Sequence, residues 1–282
     1  LNTSNSISTD SETKVDYIQV VDFLQVDAGP DLTFCAETPF TILGTVSGST
    51  GNYVSFEWEQ ISPAAGVLGS SQNFLSGGIS SPGTYVMEFS VTDDLGNTES
   101  DLVEITILPL PIVDAGVDAI ICPGDSYSID ASVSGGTPPY STYQWTPPGS
   151  GLSSYTIEDP IATPATTTTY TLSVTDNLGC IGSDDIVITP KKPIADAGPN
   201  QFICENETVV IGSPSPSPGT VPPYSYNWTP STGLSNSAIH NPSFTATTAT
   251  GIFSYCLEVT DANGCTRNPD CIDITVSNVY PI

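Results

Sequence analysis

Basic residues are scarce in this chain. Its 282 residues include only four lysines and arginines against 31 aspartates and glutamates, so the formal net charge is −27. Such a surface repels phosphate groups, and we therefore expect it to bind neither nucleic acid nor anionic lipid. The single histidine, His240, lies in a loop-like stretch before Pro242. Without a second histidine or a Gly-x-Ser-x-Gly motif, the sequence predicts no catalytic residues, and we expect the chain not to be an enzyme.

Long hydrophobic runs are also missing. No apolar stretch approaches the roughly 18 residues that a membrane helix needs, so no membrane span is predicted. There is neither an initiator methionine nor a signal-peptide pattern, and we therefore expect Leu1 to begin a processed or excerpted chain. The hydrophobic fraction is nevertheless 38%, which is too high for a disordered acidic chain. With 24 glycines and 25 prolines, and with threonine, serine and valine abundant, the composition is typical of an all-β protein with many turns.

Three landmarks recur in the same order along the chain, which indicates three copies of one unit. An Asp-Ala-Gly tripeptide opens each copy, a tryptophan follows 31 or 32 residues later, and a Val-Thr-Asp then leads into a turn. The tripeptides begin at Asp27, Asp114 and Asp196, at spacings of 87 and 82 residues. The tryptophans are Trp58, Trp145 and Trp228, and the Val-Thr-Asp motifs end at Asp93, Asp176 and Asp261.

Apolar residues alternate with polar ones before each Val-Thr-Asp, as at Tyr170, Leu172 and Val174, and this pattern predicts strands with one buried face. About seven short strands per copy, with a tryptophan on a central strand, predict an antiparallel β-sandwich of immunoglobulin type. We expect the three tryptophans to lie in the cores rather than to bind a ligand. The predicted fold class is therefore all-β, with tandem immunoglobulin-like sandwiches arranged end to end as a rod.

Prolines mark the junctions between the copies. Pro111-Ile112 and Pro193-Ile194 precede the second and third Asp-Ala-Gly, and such prolines give short, stiff connections. The same Pro-Ile pair stands at Pro281-Ile282, so we expect further repeats in the intact protein. The predicted division is a closing strand of a preceding repeat or N-terminal extension at 1–24, repeat 1 at 25–111, repeat 2 at 112–193 and repeat 3 at 194–282.

Seven cysteines in a β-rich chain predict disulfides and an oxidising compartment. The first strand of such a sandwich is expected to start at the pole where the last hairpin turns. On that assumption the aligned positions favour two bonds within repeats, Cys122 with Cys180 and Cys204 with Cys265.

The other three cysteines are assigned separately. Cys256 and Cys271 flank a tight turn at Asn263-Gly264, and they are expected to face each other on adjacent strands. Cys35 aligns with Cys122 and Cys204, but Asn97 occupies its partner position. Cys35 is therefore predicted to be an unpaired thiol. The spacings do not form a zinc pattern.

The aspartates of the repeated motifs are candidate metal ligands. If the Asp that opens each copy and the Asp that ends each Val-Thr-Asp meet at one pole, their oxygens would suit calcium. Alternatively, these carboxylates accept hydrogen bonds from the backbone of turns, and the sequence leaves both interpretations open. No other cofactor is indicated. The candidate calcium ligands are Asp27, Asp93, Asp94, Asp114, Asp176, Asp196 and Asp261.

The segment from Val113 to Cys180 resembles a known family. Its Val-Asp-Ala-Gly, Gly-Gly-Thr-Pro-Pro-Tyr, Trp-Thr-Pro and Val-Thr-Asp-Asn-Leu-Gly-Cys sequences are similar to the PKD-like, immunoglobulin-like repeats of very large bacterial surface proteins, especially the giant gliding-motility adhesins of Bacteroidota. Repeat 3 matches similarly, whereas repeat 1, with Phe56-Glu57-Trp58-Glu59-Gln60, looks more like the PKD repeats of secreted enzymes. The resemblance implies PKD-like sandwiches, export by a type IX secretion system and an extracellular, cell-surface location.

Two functions are predicted. The first is a non-catalytic structural and adhesive segment of a secreted surface filament, used in attachment or gliding motility. Its partners would be neighbouring repeats of the same long chain, a surface or polysaccharide target, and other filaments through self-association. The alternative is a carbohydrate-binding or spacer array of a secreted polysaccharide-degrading enzyme. Its stacking platform would be formed by tyrosines that otherwise pack against turns, namely Tyr140, Tyr143, Tyr224 and Tyr226.

Overall fold

The computed structural model describes residues 22–49, 52–213, 220–247 and 250–278. All 23 secondary-structure elements in these ranges are β-strands, which confirms the predicted all-β fold class. The chain divides into two compact units, unit 1 at Leu1–Pro109 and unit 2 at Leu110–Ile282. Each unit is built from antiparallel hairpins, with one parallel pairing per sandwich.

Unit 1 contains one sandwich. Its larger sheet has five strands in the order β2-β9-β8-β5-β6, and two-stranded pairings β1-β4 and β3-β7 accompany it. The strands are β1 (Asp22–Asp27), β2 (Leu32–Cys35), β3 (Phe40–Leu43), β4 (Thr45–Ser49), β5 (Tyr53–Ser62), β6 (Gly66–Gly69), β7 (Asn73–Ser76), β8 (Gly83–Asp93) and β9 (Thr98–Leu108).

The start of β1 corrects the predicted segment 1–24 in part. β1 pairs antiparallel with β4, from Asp22 opposite Ser49 to Asp27 opposite Thr45. Residues 22–24 therefore belong to the first sandwich rather than to a preceding repeat, because their backbone completes its sheet. The rest of the predicted segment, residues 1–21, lies outside the described residues.

Unit 2 contains two further sets of sheets. The first set has a four-stranded sheet in the order β11-β17-β16-β14, with pairings β10-β13 and β12-β15. The second has a four-stranded sheet in the order β18-β23-β22-β20, with the pairing β19-β21. The strands are β10 (Pro111–Asp114), β11 (Ala119–Ile121), β12 (Tyr127–Ser128), β13 (Ser132–Gly135), β14 (Thr142–Thr146), β15 (Ile161–Ala162), β16 (Thr168–Thr175), β17 (Ile181–Pro190), β18 (Gln201–Cys204), β19 (Thr208–Val210), β20 (Ser225–Thr229), β21 (Ser243–Thr245), β22 (Gly251–Thr260) and β23 (Asp270–Ser277).

The three sandwiches share one strand topology. In each, a short early strand (β2, β11 or β18) pairs in parallel with the last strand (β9, β17 or β23) at the sheet edge. The last strand forms a hairpin with the strand before it, which pairs in turn with the strand that carries the tryptophan. This order of strands is that of an immunoglobulin-like sandwich.

Each core forms around its tryptophan. Trp58 and Trp145 are fully buried and Trp228 almost so. Each indole N–H donates to a backbone carbonyl, at 3.3 Å to Gln72, 2.9 Å to Ile157 and 3.0 Å to Ile239. The polar atom of each ring is therefore satisfied inside an apolar core, as burial of a tryptophan requires. In unit 2 the two tryptophans belong to two separate clusters of buried residues.

Candidate functional site

The Asp that ends each Val-Thr-Asp is buried at the head of the last hairpin turn. Asp93, Asp176 and Asp261 are 1%, 1% and 5% exposed. One carboxylate oxygen of each accepts the backbone N–H groups two and four residues later. In repeat 2, for example, Leu178 N and Cys180 N both lie 2.9 Å from Asp176 Oδ1. The carboxylate thus holds a five-residue turn in shape, as in an Asx turn.

The second oxygen of this Asp differs among the repeats. In repeat 1 it accepts from the hydroxyl of Ser49 and, at 2.8 Å, from the amide of Asn97. In repeat 2 it accepts from Thr137 N at 2.8 Å. In repeat 3 Asp261 Oδ2 is buried and has no hydrogen-bond partner among the described residues. The turn is therefore most fully bonded in repeat 1 and least in repeat 3.

These hydrogen bonds change the acidity of two of the carboxyls. The hydroxyl of Ser49, together with donors from Asn97 and Leu95, outweighs the effect of burial and lowers the pKa of Asp93 to about 2. Burial raises the pKa of Asp176, but backbone N–H groups, including those of Thr137 and Cys180, outweigh it, and the net shift is downward. Both side chains are therefore held in the charged form by donors within their own repeat.

The Asp of each Asp-Ala-Gly also caps a local turn. Asp27, Asp114 and Asp196 each accept the N–H of the glycine two residues later, at 2.8 to 3.0 Å. The alanine between them donates its N–H to a carboxylate on the last long strand of the same repeat. These partner carboxylates, which the sequence analysis missed, belong to Asp101, Asp184 and Asp270. Each lies eight or nine residues after the aspartate of its Val-Thr-Asp, and this recurrence was the signal that could have identified them.

The expectation that the seven aspartates form calcium sites is not supported. Among the described residues, no group of three or more His, Cys, Asp or Glu side chains is placed so that it could hold a metal ion. The physical reason is strand register. The partner of Ala115, Asp184, lies opposite Leu172 in the hairpin, whereas Asp176 lies beyond its end. Asp114 and Asp176 are thus separated by roughly 10 Å along the strand at about 3.3 Å per residue.

A disulfide joins repeat 2 to repeat 3. Cys122, just after β11, bonds to Cys265 in the last hairpin turn of repeat 3, with a Cα–Cα distance of 5.2 Å and a sequence separation of 143 residues. Beside it the side-chain amide of Asn263 donates to Ile120 O at 2.6 Å. The turn that Asp261 holds in shape therefore lies against the edge strand of the preceding repeat, and one covalent bond and one hydrogen bond fasten it there.

The predicted bonds Cys122–Cys180 and Cys204–Cys265 are therefore wrong. β11 pairs in parallel with the end of β17, where Ile121 lies opposite Pro190, while Cys180 precedes the first residue of β17. The two cysteines are at opposite poles of the sandwich, roughly 30 Å apart at about 3.3 Å per residue. A disulfide requires Cα atoms within about 7 Å. The chain does enter the repeat near the turn, since Pro111 lies beside Gly182, but it has crossed to the other pole before Cys122.

The remaining cysteines divide into three cases. Cys256 and Cys271 are directly opposite each other on β22 and β23 and are bonded, with a Cα–Cα distance of 4.0 Å, as the hairpin predicted. Cys35 is disulfide-bonded, so the prediction of an unpaired thiol there is wrong. Cys180 is disulfide-bonded as well. Cys204 is the free cysteine within the described part of the chain, although a bond was predicted for it.

The tyrosines proposed as a stacking platform serve the cores instead. Tyr140 and Tyr143 pack against the core of repeat 2, and Tyr224 and Tyr226 against that of repeat 3. The hydroxyls of Tyr140 and Tyr224 donate to turn carbonyls at 3.0 Å. All four rings are half-buried. Turn packing therefore explains them without a ligand.

His240 has a structural role of the same kind. Its Nδ1 lies 3.1 Å from Ser213 O, and its ring contacts that of Tyr226 at a centroid distance of 5.8 Å. The histidine thus connects two loops. Among the described residues there is also no helix long and apolar enough to cross a membrane.

Comparison with known proteins identifies one domain of the chain. Residues 28–107 match the family described as "K319L-like, PKD domain". No curated protein matches the chain in sequence.

Similar solved structures have low identity. They include three N-terminal domains of the bacteriophage RB49 outer capsid protein Hoc, at 15% identity and a TM-score of 0.38, covering 92% of this chain and 99% of that one. Fibronectin(III)-like modules of Clostridium thermocellum CbhA match at 14% identity and a TM-score of 0.28, covering 60% of this chain and 94% of that one. The eight N-terminal immunoglobulin domains of Down syndrome cell adhesion molecule match at 14% and 0.31, covering 91% and 40%. The strand order described above and the matched domain together establish tandem immunoglobulin-like sandwiches, of which residues 28–107 form a PKD-like domain.

Proposed function

We propose that this chain is a non-catalytic structural and adhesive segment of a large bacterial surface filament, displayed outside the cell. The observation that carries the proposal is the Cys122–Cys265 disulfide, which ties one repeat to the next. A bond inside a repeat stabilises that repeat, whereas a bond between repeats fixes their junction and transmits tension through it. Disulfides of this kind persist in oxidising, extracellular surroundings. The resemblance to gliding-motility adhesins suggests, more specifically, a type IX-secreted protein of a gliding bacterium.

Within this proposal the functional modules are repeat 1 at 22–110, repeat 2 at 111–193 and repeat 3 at 194–282, because Asp22 pairs within the first sandwich and Pro111 within the second. Each encloses its own tryptophan and its own pair of capped aspartate turns, which supports treating them as serial modules. The charge of −27 would keep neighbouring filaments apart and soluble. Adhesion would then fall to particular repeats or to a target-binding end.

The half-buried tyrosines do not favour the alternative of a carbohydrate-binding array. The hydroxyls of Tyr140 and Tyr224 are bonded to turn carbonyls, and all four rings pack against the cores. A stacking platform for sugars requires flat, accessible ring faces instead. We therefore retain the filament segment as the proposed function.

Single-molecule stretching tests the mechanical role. Handles are attached at Ile112, which is exposed, and at the C-terminus of the full chain. In the oxidised protein the force passes from Cys122 directly to Cys265, so the residues between them remain outside the force path. The Cys122→Ser/Cys265→Ser double variant should release about 130 more residues, roughly 450 Å at 3.3–3.6 Å per residue.

Equal release from the oxidised protein and the double variant would contradict a tension-bearing junction. Cys204→Ser is the matched control, because it removes a thiol without removing a bond. The cellular part of the proposal is tested on intact cells that produce the protein. An antibody against the chain should label them, and external protease should remove the label. Label that appears only after lysis would contradict surface display.

A further inference from the structure

Cys204 occupies in repeat 3 the position that Cys122 occupies in repeat 2. Each cysteine lies at the end of a short edge strand that pairs in parallel with the last strand of its repeat. Each carbonyl accepts an N–H three residues later, from Asp125 to Cys122 at 3.0 Å and from Glu207 to Cys204 at 3.1 Å. Both side chains are half-buried. The two sites therefore have the same backbone, but one is bonded and the other is free.

The residue two positions before the cysteine has different surroundings in repeat 2 and in repeat 3. In repeat 2 this residue is Ile120, which is half-buried and whose carbonyl accepts the amide of Asn263. In repeat 3 it is Phe202, whose side chain is 75% exposed. A large aromatic side chain in this position is expected to gain stability when another surface covers it. The apolar residue and the free thiol thus lie together on the edge strand β18.

We propose that this end of repeat 3, formed by Phe202 and Cys204, is the receiving half of an inter-repeat junction. Its partner is a repeat of the same type, joined in line after repeat 3, whose last hairpin turn carries the Gly-Cys sequence. The partner cysteine bonds to Cys204 as Cys265 bonds to Cys122, and the turn covers Phe202. The Cys122–Cys265 junction would in this way be continued by the next repeat, whether or not the chain is adhesive.

The bond forms by oxidation of two thiols. Cys204 Sγ and the turn cysteine Sγ together lose two protons and two electrons and form one S–S bond. A disulfide oxidant such as oxidised glutathione accepts the electrons and is reduced to two thiols. Under this scheme each internal repeat carries one cysteine that bonds to the following repeat and one turn cysteine that bonds backwards, so the disulfides connect the repeats in series.

An extended chain tests the proposal. A second copy of residues 195–282 is fused after Ile282, so that Pro281-Ile282 precedes the added Ala195 as Pro193-Ile194 does in the natural sequence. The protein is oxidised with glutathione, its free thiols are counted, and its disulfides are mapped by mass spectrometry after digestion without reduction. The expected result is a bond between the original Cys204 and Cys265 of the added copy, leaving a single free thiol, Cys204 of the added copy.

The matched control carries Cys265→Ser in the added copy only. It should show two free thiols, the original Cys204 and that of the added copy. A Cys204–Cys265 bond within the added copy, a Cys204–Cys204 bond between chains, or three free thiols in the unsubstituted extended chain would overturn the proposal. The Cys256–Cys271 bond of the added copy reports its folding.

A second extension protects the test against misfolding of the first. It carries residues 113–193 after Ile282, and the expected bond joins the original Cys204 to Cys180 of the added copy. If the added copy of repeat 3 fails to form its Cys256–Cys271 bond, the disulfide map of this second extended chain tests the proposal instead. Absence of the Cys204–Cys180 bond there would count against the proposal.

Discussion

The last hairpin turns of repeats 1 and 3 have the same backbone, but their fifth residues give them different roles. In repeat 1 this residue is Asn97, whose side chain returns to Asp93 at 2.8 Å. In repeat 3 it is Cys265, which bonds to Cys122 of the preceding repeat, and Asp261 Oδ2 has no hydrogen-bond partner among the described residues. In these two turns the fifth residue thus decides whether its own side chain bonds within the repeat or to the preceding repeat. The turn backbone is therefore common to both repeats and accepts either side chain at its fifth position.

The largest expected effect comes from removing the Cys122–Cys265 disulfide between repeats 2 and 3. Cys122→Ser/Cys265→Ser removes a bond between residues separated by 143 positions, which in the chain-entropy model contributes about 5 kcal/mol. Unit 2 should melt at a lower temperature, with repeats 2 and 3 unfolding in separate calorimetric transitions. Cys204→Ser, which breaks no bond, should melt like the parent protein. If the double variant and this control melted alike, the bond would not stabilise the junction.

The next largest effect is expected from removing the carboxylates that hold the two turns in shape, those of Asp261 and Asp93. Asp261→Ala leaves the N–H groups of Asn263 and Cys265 without their acceptor, which should cost about 1–3 kcal/mol. Asp93→Ala should destabilise its own repeat more, because Asp93 has additional donors from Ser49 and Asn97. Urea denaturation of both variants measures the difference. Glu57→Ala, an exposed strand position, is the control, and an equal or reversed order would contradict the ranking.

Acid should weaken the turn of repeat 1 in a defined range. The pKa of Asp93 is about 2 in the folded protein against an ordinary 3.8, so its charged form stabilises folding fully above pH 3.8. This contribution should be lost as the pH falls from about 4 to about 2. Urea midpoints of the parent protein and of Asp93→Asn, measured across this range, should converge as the pH falls. A constant difference between them would show that Asp93 does not titrate in this way.

The smallest expected effect concerns the hydrogen bond beside the disulfide. Asn263→Ala removes the donor to Ile120 O and should cost about 1 kcal/mol or less. Because the bond holds the turn against β11, its loss should also speed reduction of Cys122–Cys265 by a dithiol. Leu178→Ala, at the equivalent position of repeat 2, is the matched control and should leave that rate unchanged. An unchanged rate in Asn263→Ala would mean that the amide does not support the junction.

The sequence predicted what depends on local pattern. Alternating residues such as Tyr170, Leu172 and Val174 are buried on one face of β16, and Trp145 is buried on β14. The Cys256–Cys271 bond follows from a hairpin, in which short-range register sets the pairing. These features can be predicted without knowing how the repeats are arranged relative to one another.

The predictions that failed depend on where the chain crosses from one pole of the sandwich to the other. Cys122 follows the short strand β11, and Cys180 lies in the last hairpin turn, just before β17. No sequence pattern shows that β11 runs parallel to β17 and therefore ends at the opposite pole of the sandwich. Asp114 is likewise kept away from Asp176, because its Asp-Ala-Gly turn bonds to Asp184 in the middle of the hairpin rather than at the hairpin turn. Pairing between repeats is a long-range property, and local periodicity carries no information about it.

Disulfide mapping of the intact oxidised chain tests the central claim most directly. Because the chain has only four lysines and arginines, it should be digested with a glutamate- and aspartate-specific protease at mildly acidic pH, after alkylation of free thiols. We predict a cross-linked peptide pair that contains Cys122 and Cys265, together with alkylated Cys204. Peptide pairs that join Cys122 to Cys180 and Cys204 to Cys265 would contradict the account.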